Sequence, residues 1–138
     1  MTFVLDASIA AAWFLPDEHN QATDELMDKL GMSPARVPAL FWFETRNIFL
    51  VAERRERLRA GEAGLCMAQL RRLPIDDHGA GEDHLILALA ARHALSAYDA
   101  AYLALALEGA APLATTDKRL ADAARSERVT ILGPLAGS

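Results

Sequence analysis

Apolar residues follow two rhythms along this chain, and each rhythm predicts a kind of element. Phe3-Val4-Leu5 is a short run of strand type that stops at Asp6. Ala7 to Leu15 reads as a helix ended by Pro16, and Asp17 is placed to cap the next helix, which runs to about Leu30 before Gly31. Arg36-Val37-Pro38 is a weak strand, because proline limits how far it can pair. Ala39 to about Leu58 is a long helix ended near Gly61, followed by a helix from Glu62 to Arg72 and a short strand at Pro74-Ile75. Gly81 to His93 is helical, and Ser96 opens an apolar helix that runs through Leu107 to Gly109. Leu113-Ala114-Thr115 is a strand, Lys118 to Arg125 a helix, and Val129-Thr130-Ile131-Leu132 the last strand.

Apolar strands separated by helices predict an α/β fold with a mainly parallel sheet covered on both faces. In such sheets ligands bind beyond the carboxyl ends of the strands. The 138 residues suit a single domain over 1–138. With 52% apolar and 24% charged residues, disorder is excluded. A lone cysteine, Cys66, excludes an internal disulfide and a cysteine-rich zinc site. The start lacks a basic secretory n-region, and no uncharged run reaches the roughly 20 residues of a membrane span. A soluble cytoplasmic protein is therefore expected. The net charge of -5 argues against passive nucleic-acid binding on a basic surface. It leaves room for a nuclease, whose metal site is itself acidic. The four histidines show no metal-ligand spacing, and neither a dinucleotide fingerprint nor a phosphate-binding loop is present.

Four carboxylates stand out by position. Asp6 and Asp117 follow strands and precede helices, so each reads either as an N-cap or as a site residue at a strand end. Ser96-Ala97-Tyr98-Asp99 fits a capping box, yet Asp99 is the only charge from Ala97 to Leu107, in a helix apolar all round. Glu44 shares a helix face with Leu40, Phe41, Ile48 and Val51. It calls for a buried arginine or a polar pocket shared with other acids. Carboxylates gathered together repel unless a cation joins them, and an oxygen-only donor set suits Mg²⁺ or Mn²⁺. Phosphoryl chemistry follows from such a site.

These residues carry a resemblance. Val4-Leu5-Asp6-Ala7-Ser8, Glu44 with Asn47, Ala97-Tyr98-Asp99-Ala100-Ala101-Tyr102-Leu103-Ala104-Leu105-Ala106 and Leu113-Ala114-Thr115-Thr116-Asp117-Lys118-Arg119-Leu120 occur in that order. The chain resembles PIN-domain ribonucleases, and most of all the VapC toxins of toxin–antitoxin pairs. The resemblance implies a three-layer α/β/α sandwich around a twisted, mainly parallel sheet. It also implies a Mg²⁺ (or Mn²⁺) site on Asp6, Glu44, Asp99 and Asp117, and endonucleolytic RNA cleavage leaving 5′-phosphate and 3′-hydroxyl ends. Ser8 and Thr115 match polar positions that support the metal ligands, and Asn47 is placed as a partner of Glu44 one helical turn on. A VapB-type antitoxin and a homodimer are the partners the family implies.

Arg46, Arg54, Arg55, Arg57 and Arg59 follow Glu44 and read either as a solvated face or as a strip of RNA phosphate contacts, with Arg46 nearest the site. Phe41, Trp42 and Phe43 cannot all point inward, so part of this run is expected to face outward. Two other readings remain: a non-catalytic binding module of the same fold, and a receiver-like Mg²⁺-dependent phosphotransfer domain. The second wants a pair of acids after the first strand, where this chain has Asp6 alone.

Overall fold

Strand β1 (Val4–Leu5) is wholly buried, as its apolar side chains require. The computed structural model describes residues 2–137. Around β1 the chain builds β2 (Ala35–Val37), β3 (Ile75–Asp77), β4 (Leu113–Ala114) and β5 (Ile131–Leu132). They form one five-stranded sheet in the order β3-β2-β1-β4-β5, with every pairing parallel. Val4 lies opposite Arg36 on one side and Leu113 on the other. A receiver-like domain sets its first strand between the second and third. Here β1 sits between β2 and β4, which removes that reading.

Parallel neighbours need crossovers, and helices supply them. Helices α1 (Ala7–Phe14) and α2 (Gln21–Lys29) join β1 to β2, and α3 (Leu40–Arg54) and α4 (Glu62–Leu70) join β2 to β3. Helices α5 (Asp83–His93) and α6 (Ala97–Glu108) lead back to β4, and α7 (Lys118–Ser126) leads on to β5. The connections step one way across the sheet and then the other, so right-handed crossovers put α1–α4 and α5–α7 on opposite faces. Contacts agree: α1 packs on α2 and α3, α3 on α4, and α6 on α5 and α7. This is the three-layer α/β/α sandwich the sequence predicts, with a sheet wholly rather than mainly parallel.

The core is aromatic on one side and small on the other. Phe14 of α1 meets Phe49 of α3 edge to face, with ring centroids 5.9 Å apart. On the opposite face α6 buries Ala100, Ala101, Ala104 and Ala106 beside Tyr102 and Leu103. Small side chains there let the helix axis lie close to β1, β2 and β4.

Several boundaries differ from the sequence reading. Asp17 does not cap α2: it lies in a 3-10 turn, Pro16–Glu18, and the Asn20 side chain accepts from the Thr23 N–H at 2.9 Å instead. Helix α3 stops at Arg54 because Glu56 turns into the left-handed region (φ 60°), and the Arg57 N–H bonds back to the Ala52 carbonyl. The strand expected at Pro74-Ile75 begins at Ile75 and runs on through Asp76 and Asp77 as β3. Its exposed edge position tolerates charge where a central strand does not.

Candidate functional site

The order of the strands reverses at β1 and β4, and it is outside the carboxyl ends of the strands at such a point that sheets of this kind form a ligand crevice. Asp6 follows β1 into it and is 7% exposed. It occupies the N-cap position of α1 but makes no capping bond, so the capping reading fails there. Its Oδ2 accepts from Ser8 Oγ at 2.6 Å and from Thr115 Oγ1 at 2.7 Å. The direction of those bonds is fixed by inventory. The Thr116 N–H donates to Ser8 Oγ and the Asp117 N–H to Thr115 Oγ1, each at 3.0 Å, so each hydroxyl has its one proton left for Asp6. Among the described residues nothing donates to Asp6 Oδ1. No buried side-chain oxygen there lacks a partner, so Oδ1 keeps access to the opening.

The other acids arrive from separate elements. Asp117 caps α7, its Oδ1 accepting from the Arg119 and Leu120 N–H groups at 2.9 and 3.2 Å, so its capping reading holds. Capping occupies one oxygen of the carboxylate. Asp99 sits in the first turn of α6, where the Asp99 N–H donates to Ser96 Oγ at 3.1 Å. The reciprocal bond of a capping box is absent among the described residues, which leaves the Asp99 carboxylate without a local partner. Glu44 on α3 is half-buried and meets no arginine. Tyr102 Oη donates to its Oε1 at 2.6 Å. Tyr102 itself was hidden in the apolar run of α6. The available signal was a phenol in an otherwise apolar run three residues after Asp99, since a buried tyrosine hydroxyl seeks a partner.

Electrostatics single out this corner. Burial raises the Asp6 pKa above the ordinary carboxylate range, against the Ser8 and Thr115 bonds, and the charges of Asp99 and Asp117 push it further. Burial raises Glu44 as well, opposed by Tyr102 and reinforced by Asp6 and Asp99. Asp99 is raised by burial and Asp117, with Ser96 and Arg119 opposing. Tyr102 is pushed far up by burial and the nearby acids, so it keeps its proton. Burial is the main cost for all three acids, and their acidic neighbours, Asp117 included, add to it with little cationic relief.

They are near neighbours without being a closed cage. Among the described residues, no three Asp, Glu, His or Cys side chains gather tightly enough to hold a bare ion. Mutually repelling carboxylates stand off from one another when no cation joins them. The donors are all hard oxygens, and Mg²⁺ keeps several of its waters, so a hydrated ion bridged in part through water fits this spacing.

The remaining predicted residues lie elsewhere. Asn47 and Arg46 are exposed and do not bond Glu44. With Phe43, Leu50, Ala63, Gly64 and Met67 they line an apolar hollow between α3 and α4. The Arg46 guanidinium lies 5.1 Å from the Phe43 ring centroid. Arg57 is held by Asp17 and Glu18, so it does not serve the expected strip. Phe41 is buried and Phe43 is 67% exposed, the division expected of that run.

Residues 3–126 match the PIN domain family. The chain is 31% identical over 127 residues to Ribonuclease VapC3 of Pyrobaculum aerophilum, covering 88% of this chain and 94% of that protein. Its fold is similar to the crystal structure of PAE2754 from the same organism (TM-score 0.71, 18% identity, 89% of this chain and 79% of that one). It is also similar to FitAcB from Neisseria gonorrhoeae (TM-score 0.60, 18% identity, 97% and 98%). The matched segment contains β1, α3, α6 and the start of α7, the four places from which the crevice draws its acids, and the chain belongs to the PIN domain family.

Proposed function

We propose that this protein is a metal-dependent endoribonuclease of toxin type, a single domain over residues 1–138 that acts in the cytoplasm. The observation that carries this reading is the set of unpaired carboxylates at the β1–β4 crevice, braced by hydroxyls rather than by cations. Acids that serve only stability are normally paired. The likeness to a ribonuclease supports RNA as the substrate.

Asp6 and Asp99 hold the divalent cation, Mg²⁺ or Mn²⁺, and Glu44 and Asp117 complete the site directly or through water. When bound, such an ion lowers the pKa of a coordinated water and offsets charge building on the phosphate. Ser8 and Thr115 keep Asp6 Oδ2 occupied, so Oδ1 is the oxygen left for the ion. Glu44 orients the attacking water. The P–O bond to the 3′-oxygen breaks, leaving 3′-hydroxyl and 5′-phosphate ends. Arg46, exposed on the outer side of α3 over the hollow toward α4, contacts RNA phosphate further along the bound strand. A VapB-type antitoxin and a second copy of the chain are its partners, and the exposed Phe43 belongs to the surface they use.

The test is cleavage of a structured RNA pool by the purified protein with Mg²⁺, with Mn²⁺ and with EDTA, beside Asp99→Asn. Cutting that needs metal and is lost in the variant is the expected result. A folded protein that cuts nothing under any metal, or a variant as active as the parent, overturns the reading.

A further inference from the structure

Tyr102 ties together two elements that each carry an acid. It is among the largest fully buried side chains of the molecule, on α6 three residues after Asp99. Its hydroxyl donates to Glu44 on α3 at 2.6 Å. The phenol oxygen therefore holds Glu44 from a rigid seat on the helix of Asp99.

Glu44 needs such a restraint. It is half-buried, its side chain has three rotatable bonds, and Asp6 and Asp99 repel it. A carboxylate so placed gains by swinging toward water, away from the other acids. Only one of its oxygens is engaged: among the described residues no group donates to Oε2.

We propose that Tyr102 is a positioning residue whose hydroxyl pins Glu44 Oε1 and so keeps Oε2 turned into the crevice, preforming the divalent-cation site. This rests on the crevice being a metal-dependent nuclease site. Partners that orient ligating carboxylates act in this way in metal centres generally.

Tyr102→Phe removes the hydroxyl and keeps the ring. The experiment is calorimetric titration of the metal-free full chain with Mn²⁺, using the parent, Tyr102→Phe, Glu44→Gln, the double variant and Asp99→Asn. Tyr102→Phe binds Mn²⁺ about tenfold more weakly, while the metal-free protein stays folded with a melting temperature lower by about 2–6 °C for the lost hydrogen bond. The double variant binds no worse than Glu44→Gln alone, because a residue that acts through Glu44 has nothing to add once Glu44 is replaced. In cleavage, kcat falls and the KM for RNA stays. A Tyr102→Phe protein that binds Mn²⁺ like the parent, or whose loss adds in full to that of Glu44→Gln, overturns the positioning role. If Asp99→Asn weakens Mn²⁺ binding while Tyr102→Phe does not, only the role of Tyr102 falls. If Asp99→Asn also binds like the parent, the metal reading falls and takes this role with it.

Discussion

Two acidic regions of this molecule treat the same side chain in opposite ways. On the flank, Asp17 accepts two bonds from Arg57, at 2.9 and 2.8 Å, and its pKa falls below the ordinary range mainly through them. Glu127 is likewise lowered by His93 and Arg92. In the crevice, Asp6 and Glu44 accept only from neutral hydroxyls, and Asp6, Glu44 and Asp99 are pushed up first by burial and then by neighbouring acids, Asp117 among them. The flank acids meet their counter-charge within the fold. The crevice acids are left wanting a positive charge from outside it, which is what the proposed metal site requires.

The sharpest way to break the comparison is Asp6→Asn. Asparagine still accepts the Ser8 and Thr115 hydroxyls but cannot supply an anionic ligand. Cleavage should fall by about 10²–10³-fold or more, the scale of losing charge stabilisation at a transition state. The metal-free melting temperature at pH 8 should rise by about 2–4 °C, since a repelling charge is gone. Activity and thermal melting on the same preparation read both. A variant less stable than its parent would mean that the Asp6 charge is compensated within the fold.

A smaller effect is the pH dependence of stability. The crevice acids bind protons more readily folded than unfolded. Their contribution is therefore complete below the ordinary carboxylate range and is lost as pH rises through the raised values. Asp17 and Glu127 are lowered, so theirs is present above that range and is lost as pH falls through the depressed values. The metal-free protein should thus lose melting temperature from about pH 5 to pH 8, and Asp6→Asn should flatten that slope. Mn²⁺ should flatten it too, by keeping the crevice acids ionised. Parallel slopes in parent and variant would place the titrating groups elsewhere.

Least of all should come Arg57→Ala, which strips Asp17 and Glu18 of their partner. That pair is solvent-exposed, and its loss should move the melting temperature by less than about 2 °C. Cleavage should be unchanged, which an RNA assay on the same variant checks.

Much of this architecture was legible because it rests on local pattern. The apolar run before Asp6, the capping serine before α6 and the strand before Thr115 all declare themselves within a few residues. What escaped depends on atoms far apart in sequence. Nothing near Tyr102 announces that its hydroxyl meets Glu44, 58 positions earlier. Asn47 was placed beside Glu44 by helical spacing alone, and the helix turns it to the outer hollow instead. Strands of two or three residues also say nothing of their neighbours. Their order follows from how the crossovers pack, and no single strand encodes it. Asp17 shows the limit of capping rules: Arg57, 40 positions on, claims its carboxylate.

The bond from Thr115 to Asp6 spans 109 positions, and β4 is the strand that completes the pairing of β1. Until β4 docks, β1 has one open edge and Asp6 has lost one of its two hydroxyl donors. Contacts of such separation form late, because a long loop must close before they add stability. During synthesis, then, Asp6 waits until β4 has emerged. A copy halted before β4 carries Asp6, Glu44 and Asp99 but not their arrangement, so the nuclease activity proposed for this chain would appear only once β4 has docked.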